Sequence, residues 1–140
     1  MRAVGIDLGT KRIGVAVSDP SGTLASPYEV VARSGDVAAD HRRLAAIVAE
    51  VEAEVVVVGL PLALSGEVGR AAQSALDEVE AMRAVLPVPV ETHDERLTTV
   101  SADRSMMERK MKADARRRVV DKVAAAVMLQ SWLDGRRARR

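Results

Sequence analysis

The 140-residue chain has a net charge of +1, no cysteine, no phenylalanine, one tryptophan and one tyrosine. Its length suits one domain with a buried core, and the lack of cysteine excludes disulfides, thiolate metal sites and cysteine nucleophiles. No apolar run approaches the roughly 18 residues of a membrane span and no charged leader precedes an apolar segment, so we expect a cytoplasmic protein with no membrane partner.

Three antiparallel strands are predicted over the first 32 residues. Apolar and small residues alternate in a first strand that ends near Gly9 and in a second strand over residues 13–18. Residues 19–22, Asp-Pro-Ser-Gly, predict a tight turn. A weaker third strand follows over residues 25–32, interrupted early by Pro27. Together these segments predict an antiparallel meander.

Helices alternate with strands in the rest of the chain, beginning with a helix that Asp36 caps. Residues 55–58 are four consecutive valines, a pattern typical of a parallel strand buried on both faces. The order predicts an α/β domain over residues 1–134, with a five-stranded mixed sheet of three antiparallel and then two parallel strands, flanked by helices. Residues 135–140 are predicted to be a disordered basic tail. The expected elements are helices over 36–53 and 70–85, strands over 55–58 and 88–93, a helix from Thr98 or Thr99 to about Met111, and a last helix over 113–133.

Asp7 stands in a strand where an apolar residue is expected. Gly5 and Gly9 share its face of the strand, and apolar side chains share the other face. A buried carboxylate costs several kcal/mol unless it is paired or coordinates a cation. Because its neighbours have almost no side chain, a ligand can approach closely. The pattern indicates part of a metal site.

A second acidic position follows the predicted fifth strand. Asp94 and Glu95 come directly after that strand, at the end of the sheet where ligands bind in open α/β folds. The same residues could instead form a loop salt bridge with Arg96.

A third candidate, Asp121, lies just before the all-apolar segment 123–129, which reads as a buried part of the last helix. From that place its side chain could project over the edge of the sheet. The alternative is an ion pair with Arg117 or Lys122.

Three such acids favour a site for hard cations. All-oxygen ligand sets suit Mg²⁺ or Mn²⁺, and carboxylate clusters that hold two such ions roughly 4 Å apart cleave phosphodiesters. Neither histidine offers a strong competing mechanism. His41 lies among polar helical residues and is expected to be solvated, whereas His93, beside the acidic pair, could support it.

Basic side chains gather in the last third of the chain. They can supply phosphate contacts, although a solvated helix face and a disordered tail would show the same pattern. Aromatic platforms for base stacking are nearly absent, so nucleic-acid recognition should rest on backbone and shape. The basic residues are Arg104, Arg109, Lys110, Lys112, Arg116, Arg117, Arg118 and the arginines between 136 and 140.

Four segments, in this order, carry a family resemblance: residues 5–16 (GIDLGTKRIGVA), 57–61 (VVGLP), 94–99 (DERLTT) and 121–125 (DKVAA). With them the chain closely resembles the YqgF family, also called RuvX, whose members are described as Holliday-junction resolvases and as pre-16S rRNA nucleases. The resemblance implies a ribonuclease H-like fold with Asp7, Glu95 and Asp121 as metal-binding catalytic carboxylates. One departure is the apolar segment 62–64, where the family usually carries a polar loop.

The resemblance implies an endonuclease that uses Mg²⁺ or Mn²⁺, with two ions, and that trims the 5′ side of the small-subunit rRNA precursor. Lys11, Arg12, Arg96 and Lys122 are candidate phosphate contacts, or else ordinary surface charges. The chief alternative is resolution of a four-way DNA junction, which calls for a homodimer with two sites, whereas the rRNA reaction leaves a monomer open.

Two more distant alternatives remain. Residues 5–10 also look like the first phosphate-binding loop of sugar kinases and actin-like ATPases, but those proteins need a second domain for which 140 residues leave no room. The domain could also be a non-catalytic RNA-binding assembly factor.

Overall fold

A computed structural model describes residues 1–63, 65–97 and 113–139. The helix predicted from Thr98 or Thr99 to Met111 lies outside these ranges. The strands are β1 (Ala3–Leu8), β2 (Arg12–Ser18), β3 (Ala25–Ala32), β4 (Val55–Leu60) and β5 (Val90–Asp94), and the helices are α1 (Val37–Glu50), α2 (Arg70–Arg83) and α3 (Ala113–Ala138), with a 3₁₀ turn at Glu95–Leu97.

The five strands form one mixed sheet in the order β3-β2-β1-β4-β5. The β1–β2 and β2–β3 pairs are antiparallel, whereas the β1–β4 and β4–β5 pairs are parallel. This confirms the predicted arrangement. It also brings the carboxyl ends of β1, β4 and β5 to the same edge of the sheet.

Each face of the sheet has its own core. On one face, Val4 and Ile6 of β1 pack with Leu44 of α1 and Met82 of α2. On the other face, α3 is the one helix of the described residues that packs, and its small residues allow it to approach closely. That second cluster contains Ala3, Ala16, Val55, Val57, Ala124, Ala125, Met128 and Leu129. Within the described residues, no helix combines the length and hydropathy that crossing a membrane requires.

The edge strand β3 continues through Pro27, and the predicted interruption takes the form of a register shift beside that residue and not of a break. Pro27 pairs with Ala16, and Glu29 pairs with Val15, so that the register shifts by one residue at Tyr28. An edge strand tolerates a proline because one of its sides needs no ladder hydrogen bond, and the bulge absorbs the irregularity.

The last helix extends five residues beyond the predicted end at residue 133, to Ala138. Residues 135–138 are therefore helical, and the disordered tail predicted there is wrong. The guanidinium of Arg136 lies 5.4 Å from the ring centroid of Trp132, one turn earlier. This cation–π contact favours the extra turn. The predicted domain boundary at residue 134 stays a prediction.

His41 is buried, with 2% of its surface exposed, and not solvated as the sequence indicated. Its Nε2 lies 2.7 Å from Glu78 Oε2 on α2. Arg33 donates two hydrogen bonds of 2.9 Å to the same carboxylate. The helical spacing offered a signal, because His41 shares the face of α1 that carries Leu44 and Val48.

Replacing Glu78 by Gln should destabilise the protein at neutral pH, by about 2 kcal/mol, because Arg33 and the buried His41 lose a largely desolvated anionic partner. Burial alone would raise the pKa of Glu78, but the hydrogen bonds from Arg33 and His41 hold this pKa below its ordinary value of 4.5. The contribution of Glu78 is therefore fully present above pH 4.5 and is lost as the pH falls through the folded-state pKa.

The measurement is urea unfolding of both proteins from neutral to acid pH. The difference in free energy of unfolding should narrow below the ordinary pKa of Glu78. Glu80→Gln, at an exposed position of the same helix, is the matched control and should show a small difference with little pH dependence. If the loss in free energy of unfolding caused by Glu78→Gln does not change with pH, the stabilising role given to the Glu78 carboxylate is wrong.

Candidate active site

Asp7 lies near the carboxyl end of β1 and is 8% exposed. It faces the α3 side of the sheet, since a Cβ on Gly5, two residues earlier, would lie 2.7 Å from Leu129 Cβ of α3. The residue opposite Asp7 on β2 is Gly14. The carboxylate therefore has a glycine beside it across the sheet, on the face that α3 covers.

Asp121 reaches the same place because α3 crosses Gly14. A Cβ added to Gly14 would lie 2.0 Å from the backbone oxygen of Asp121, so only glycine fits at this crossing. Asp121 thus stands over the cross-strand partner of Asp7. Its side chain accepts a hydrogen bond of 2.8 Å from Arg12 Nε, two residues before Gly14 on β2.

Glu95 approaches from the other side of β1. Its Oε1 lies 2.6 Å from the position of a Cβ on Gly59, at the end of β4. Since Ile6 pairs with Val58, the next position along the two parallel strands places Gly59 beside Asp7. The three predicted acids therefore gather around two glycines at one end of the sheet.

These carboxylates do not form a finished metal centre. Within the described part of the chain, no three acidic or histidine side chains are grouped so that they could hold one ion. Asp121 is instead engaged by Arg12. The donor chemistry still fits a hard cation, because the acids supply only oxygen. The missing Cβ atoms of Gly14 and Gly59 let Asp121 and Glu95 come this close to the sheet. The bond from Arg12 Nε is to one oxygen of Asp121, Oδ2, and Arg12 therefore competes with a cation for that oxygen.

The four candidate phosphate contacts differ in their surroundings. Lys11 is exposed in the β1–β2 turn, and Lys122 is half-buried next to Asp121. Arg12 pairs with Asp121, so this acid has a partner other than the two that the sequence suggested. Arg96 binds Asp94 at 2.6 Å, which confirms the loop salt bridge for that acid.

Asp94 and His93, beside Glu95 in sequence, have partners outside the three-acid group. Hydrogen bonds from the side chain of Arg96 hold the pKa of Asp94 below its ordinary value. His93 Nε2 lies 3.1 Å from Ser131 Oγ of α3, and burial lowers the pKa of this imidazole. His93 therefore connects β5 to α3.

A model of the RuvX family, described as "Holliday junction resolvase", matches residues 1–135. A protein of Mycobacterium sp. (strain KMS) is 53% identical over 138 residues, which cover 98% of this chain and 82% of the relative. A protein of Mycobacterium bovis (strain BCG / Pasteur 1173P2) is 52% identical over 139 residues, with 98% and 81% covered. Both are described as "Putative pre-16S rRNA nuclease". The chain belongs to the RuvX family.

Two solved structures are similar to this RuvX-family chain in fold. RuvC of Thermus thermophilus in complex with a Holliday junction substrate has a TM-score of 0.62 at 21% identity, with 98% of this chain and 96% of that chain covered. A second structure of Thermus thermophilus RuvC has a TM-score of 0.60 at 20% identity, covering 99% and 97%. These likenesses confirm the predicted ribonuclease H-like fold.

Replacing Gly14 by Ala should push α3 away from β2 at Asp121, because the new methyl group would overlap the backbone oxygen of that residue. We expect a loss of about 1–3 kcal/mol in the free energy of unfolding, as for other overpacked cores. Urea unfolding measures it. Gly135→Ala, within α3, is the control: its Cβ meets only Arg139 at 3.6 Å, and the change should stabilise the helix. Equal effects of the two substitutions would contradict the packing described.

Proposed function

We propose that this RuvX-family protein is a metal-dependent endonuclease that hydrolyses phosphodiester bonds. Asp7, Glu95 and Asp121 are its catalytic carboxylates and hold two Mg²⁺ or Mn²⁺ ions. The observation that carries the proposal is the gathering of three acids, from β1, the end of β5 and α3, around Gly14 and Gly59. Family membership supports it. Membership of this family also favours a nuclease over an ATP-binding domain or a non-catalytic RNA-binding factor.

The roles of the residues follow from their places. Asp7 lies between the other two acids and would be shared by the two ions, and Glu95 and Asp121 would complete the ligand set. Bound Mg²⁺ or Mn²⁺ would supply an activated water and stabilise the leaving oxygen. Arg12 is close enough to contact a substrate phosphate once it leaves Asp121. Lys11, Arg96 and Lys122 border the same end of the sheet and remain proposed phosphate contacts.

An rRNA precursor is our first choice of substrate, and the reaction is processing of the 5′ side of pre-16S rRNA in the cytoplasm. The support is the name of relatives that are 52–53% identical to this chain. A four-way DNA junction is the second candidate, favoured by the description of the family model. Symmetric cleavage of a junction requires two sites, so that activity would need a homodimer, whereas the first reaction is open to a monomer.

Asp7→Asn should abolish cleavage and leave the fold intact, because the amide keeps the shape but loses the charge that holds the cations. The assay tests an rRNA precursor and a four-way junction in parallel, both in the presence of Mn²⁺. Circular dichroism checks that the variant is folded. Asp77→Asn, which alters an exposed acid of α2, is the matched control and should cleave normally. Unchanged turnover in Asp7→Asn would refute the mechanism, and cleavage of only one substrate would choose between the candidates.

Arg12→Gln should strengthen Mn²⁺ binding severalfold and weaken substrate binding. The guanidinium competes with a cation for the carboxylate of Asp121, and its removal frees that carboxylate while it takes away a phosphate contact. Calorimetry with Mn²⁺ measures the first effect, and the KM for the cleaved substrate measures the second. The control is Arg42→Gln, at an exposed position of α1. Weaker Mn²⁺ binding in Arg12→Gln would contradict this competition.

A further inference from the structure

A cleft of about 400 Å³ opens at the same end of the sheet, on the side that α1 and α2 cover. Leu8, Gly9 and Thr10 line it where β1 ends, and Pro61 lines it just after β4. The carboxyl ends of neighbouring parallel strands are where open α/β sheets bind ligands. The volume lies within the roughly 300–1,000 Å³ of small-ligand sites.

A partly buried ion pair, Arg33 with Glu78, lies in this cleft. Arg33 donates to Glu78 through both terminal nitrogens at 2.9 Å and to the backbone oxygen of Gly9 through Nε at 2.8 Å. His41 contacts Glu78 from the interior of the protein. Because Glu78 neutralises Arg33, the cleft offers no uncompensated cation among the described residues that line it. A cleft without net positive charge does not suit a nucleoside triphosphate, whose phosphates need cationic partners.

Arg33 and Glu78 both keep hydrogen-bonding capacity. The hydrogen bonds among the described residues use three of the five N–H groups of Arg33 and three of the about four acceptor sites of Glu78. Ser74, exposed at the rim on α2, adds a hydroxyl that can donate or accept. The cleft therefore presents donors and an acceptor side by side, as the edge of a nucleobase requires.

The walls of the cleft are aliphatic. Val37, which is 51% exposed, lines the cleft together with Leu8 and Pro61, and Ala71 and Ala75 of α2 line it as well. Apolar side chains of this kind can hold the flat faces of an extruded base, as aromatic rings do in other enzymes that act on nucleic acids. The scarcity of aromatic residues therefore does not exclude recognition of a base here.

The cleft lies at the same end of the sheet as the three-acid group, on the opposite face. Gly9 is two residues beyond Asp7, or about 7 Å along an extended strand. A polynucleotide that crosses the end of the sheet can thus place a phosphate near Asp7 and a neighbouring base in the cleft on the other side.

We propose that this cleft binds one unpaired nucleobase of the polynucleotide held at the carboxylates, and thereby fixes the position of the scissile phosphate. Arg33, Glu78 and Ser74 contact the edge of the base, and Leu8, Val37 and Pro61 contact its faces. The inference rests on the proposed function, since it needs a polynucleotide at Asp7. It adds a base contact to a site that the sequence indicated would recognise only backbone and shape.

The test fills the cleft from α2. Ala71→Leu places a larger side chain in the opening, Ser74→Leu does so from the next turn, and Ala81→Leu, at an exposed position farther along the same helix, is the matched control. The probes are short RNA and DNA strands that carry one 2-aminopurine or one abasic residue, moved along the strand. Binding is measured with Ca²⁺, and a gel checks that the strands remain intact.

With the wild type and Ala81→Leu, we expect one position at which 2-aminopurine fluorescence changes and an abasic residue weakens binding about tenfold. In Ala71→Leu and Ser74→Leu, the position of the 2-aminopurine or abasic residue should no longer affect fluorescence or binding. Both variants should still bind a strand that is abasic at the sensitive position as tightly as the wild type does. If the wild type cleaves nucleic acid but shows no such position, the base-binding inference is wrong and the proposed function stands. If the same position remains sensitive in Ala71→Leu and Ser74→Leu, the base binds somewhere other than this cleft. A wild type that neither binds nor cleaves any strand overturns both.

Discussion

The crossing of α3 over β1 and β2 is the contact on which the site depends. A Cβ on Gly5 would lie 2.7 Å from Leu129, and one on Gly14 would lie 2.0 Å from the backbone of Asp121, so the helix can come this close only because both strands present glycine. Close packing of this kind tolerates little added volume. It sets the position of Asp121 next to Asp7, two residues that are far apart in the chain.

Several carboxylates lie at the carboxyl end of the sheet, and on each face an arginine forms an ion pair with one of them. Arg12 binds Asp121 on the α3 face, and Arg33 binds Glu78 on the face of α1 and α2. Burying a charge is costly unless a partner and hydrogen bonds offset the loss of water. The two pairs differ in what surrounds them. Arg33 is also tied to the backbone and Glu78 to His41, whereas Arg12 holds an acid that our proposal assigns to a cation.

Regular patterns predicted the fold well. Alternation indicated β1 and β2, the four valines indicated β4, and the order of elements indicated the mixed sheet. Asp7 stood out because a charge broke an apolar pattern, but Glu95 and Asp121 were ambiguous until the family resemblance singled them out. The prediction for His41 was wrong because helical spacing, which puts His41 on the buried face of α1 with Leu44, decides its burial and its polar neighbours in sequence do not. The end of α3 was missed because a run of arginines resembles a solvated tail when Trp132 is not known to lie beneath Arg136.

The sequence by itself determined which residues face which side of each element, since the periods of a strand and a helix are properties of the backbone. It therefore placed Asp7 on a face of glycines and predicted the two layers of helices around the sheet. Only the tertiary structure decided the partners: Arg12 with Asp121, Arg33 with Glu78, and the cleft between β1 and α2. Those pairings join residues 109 and 45 positions apart, and they depend on how closely the layers pack, which no local period encodes.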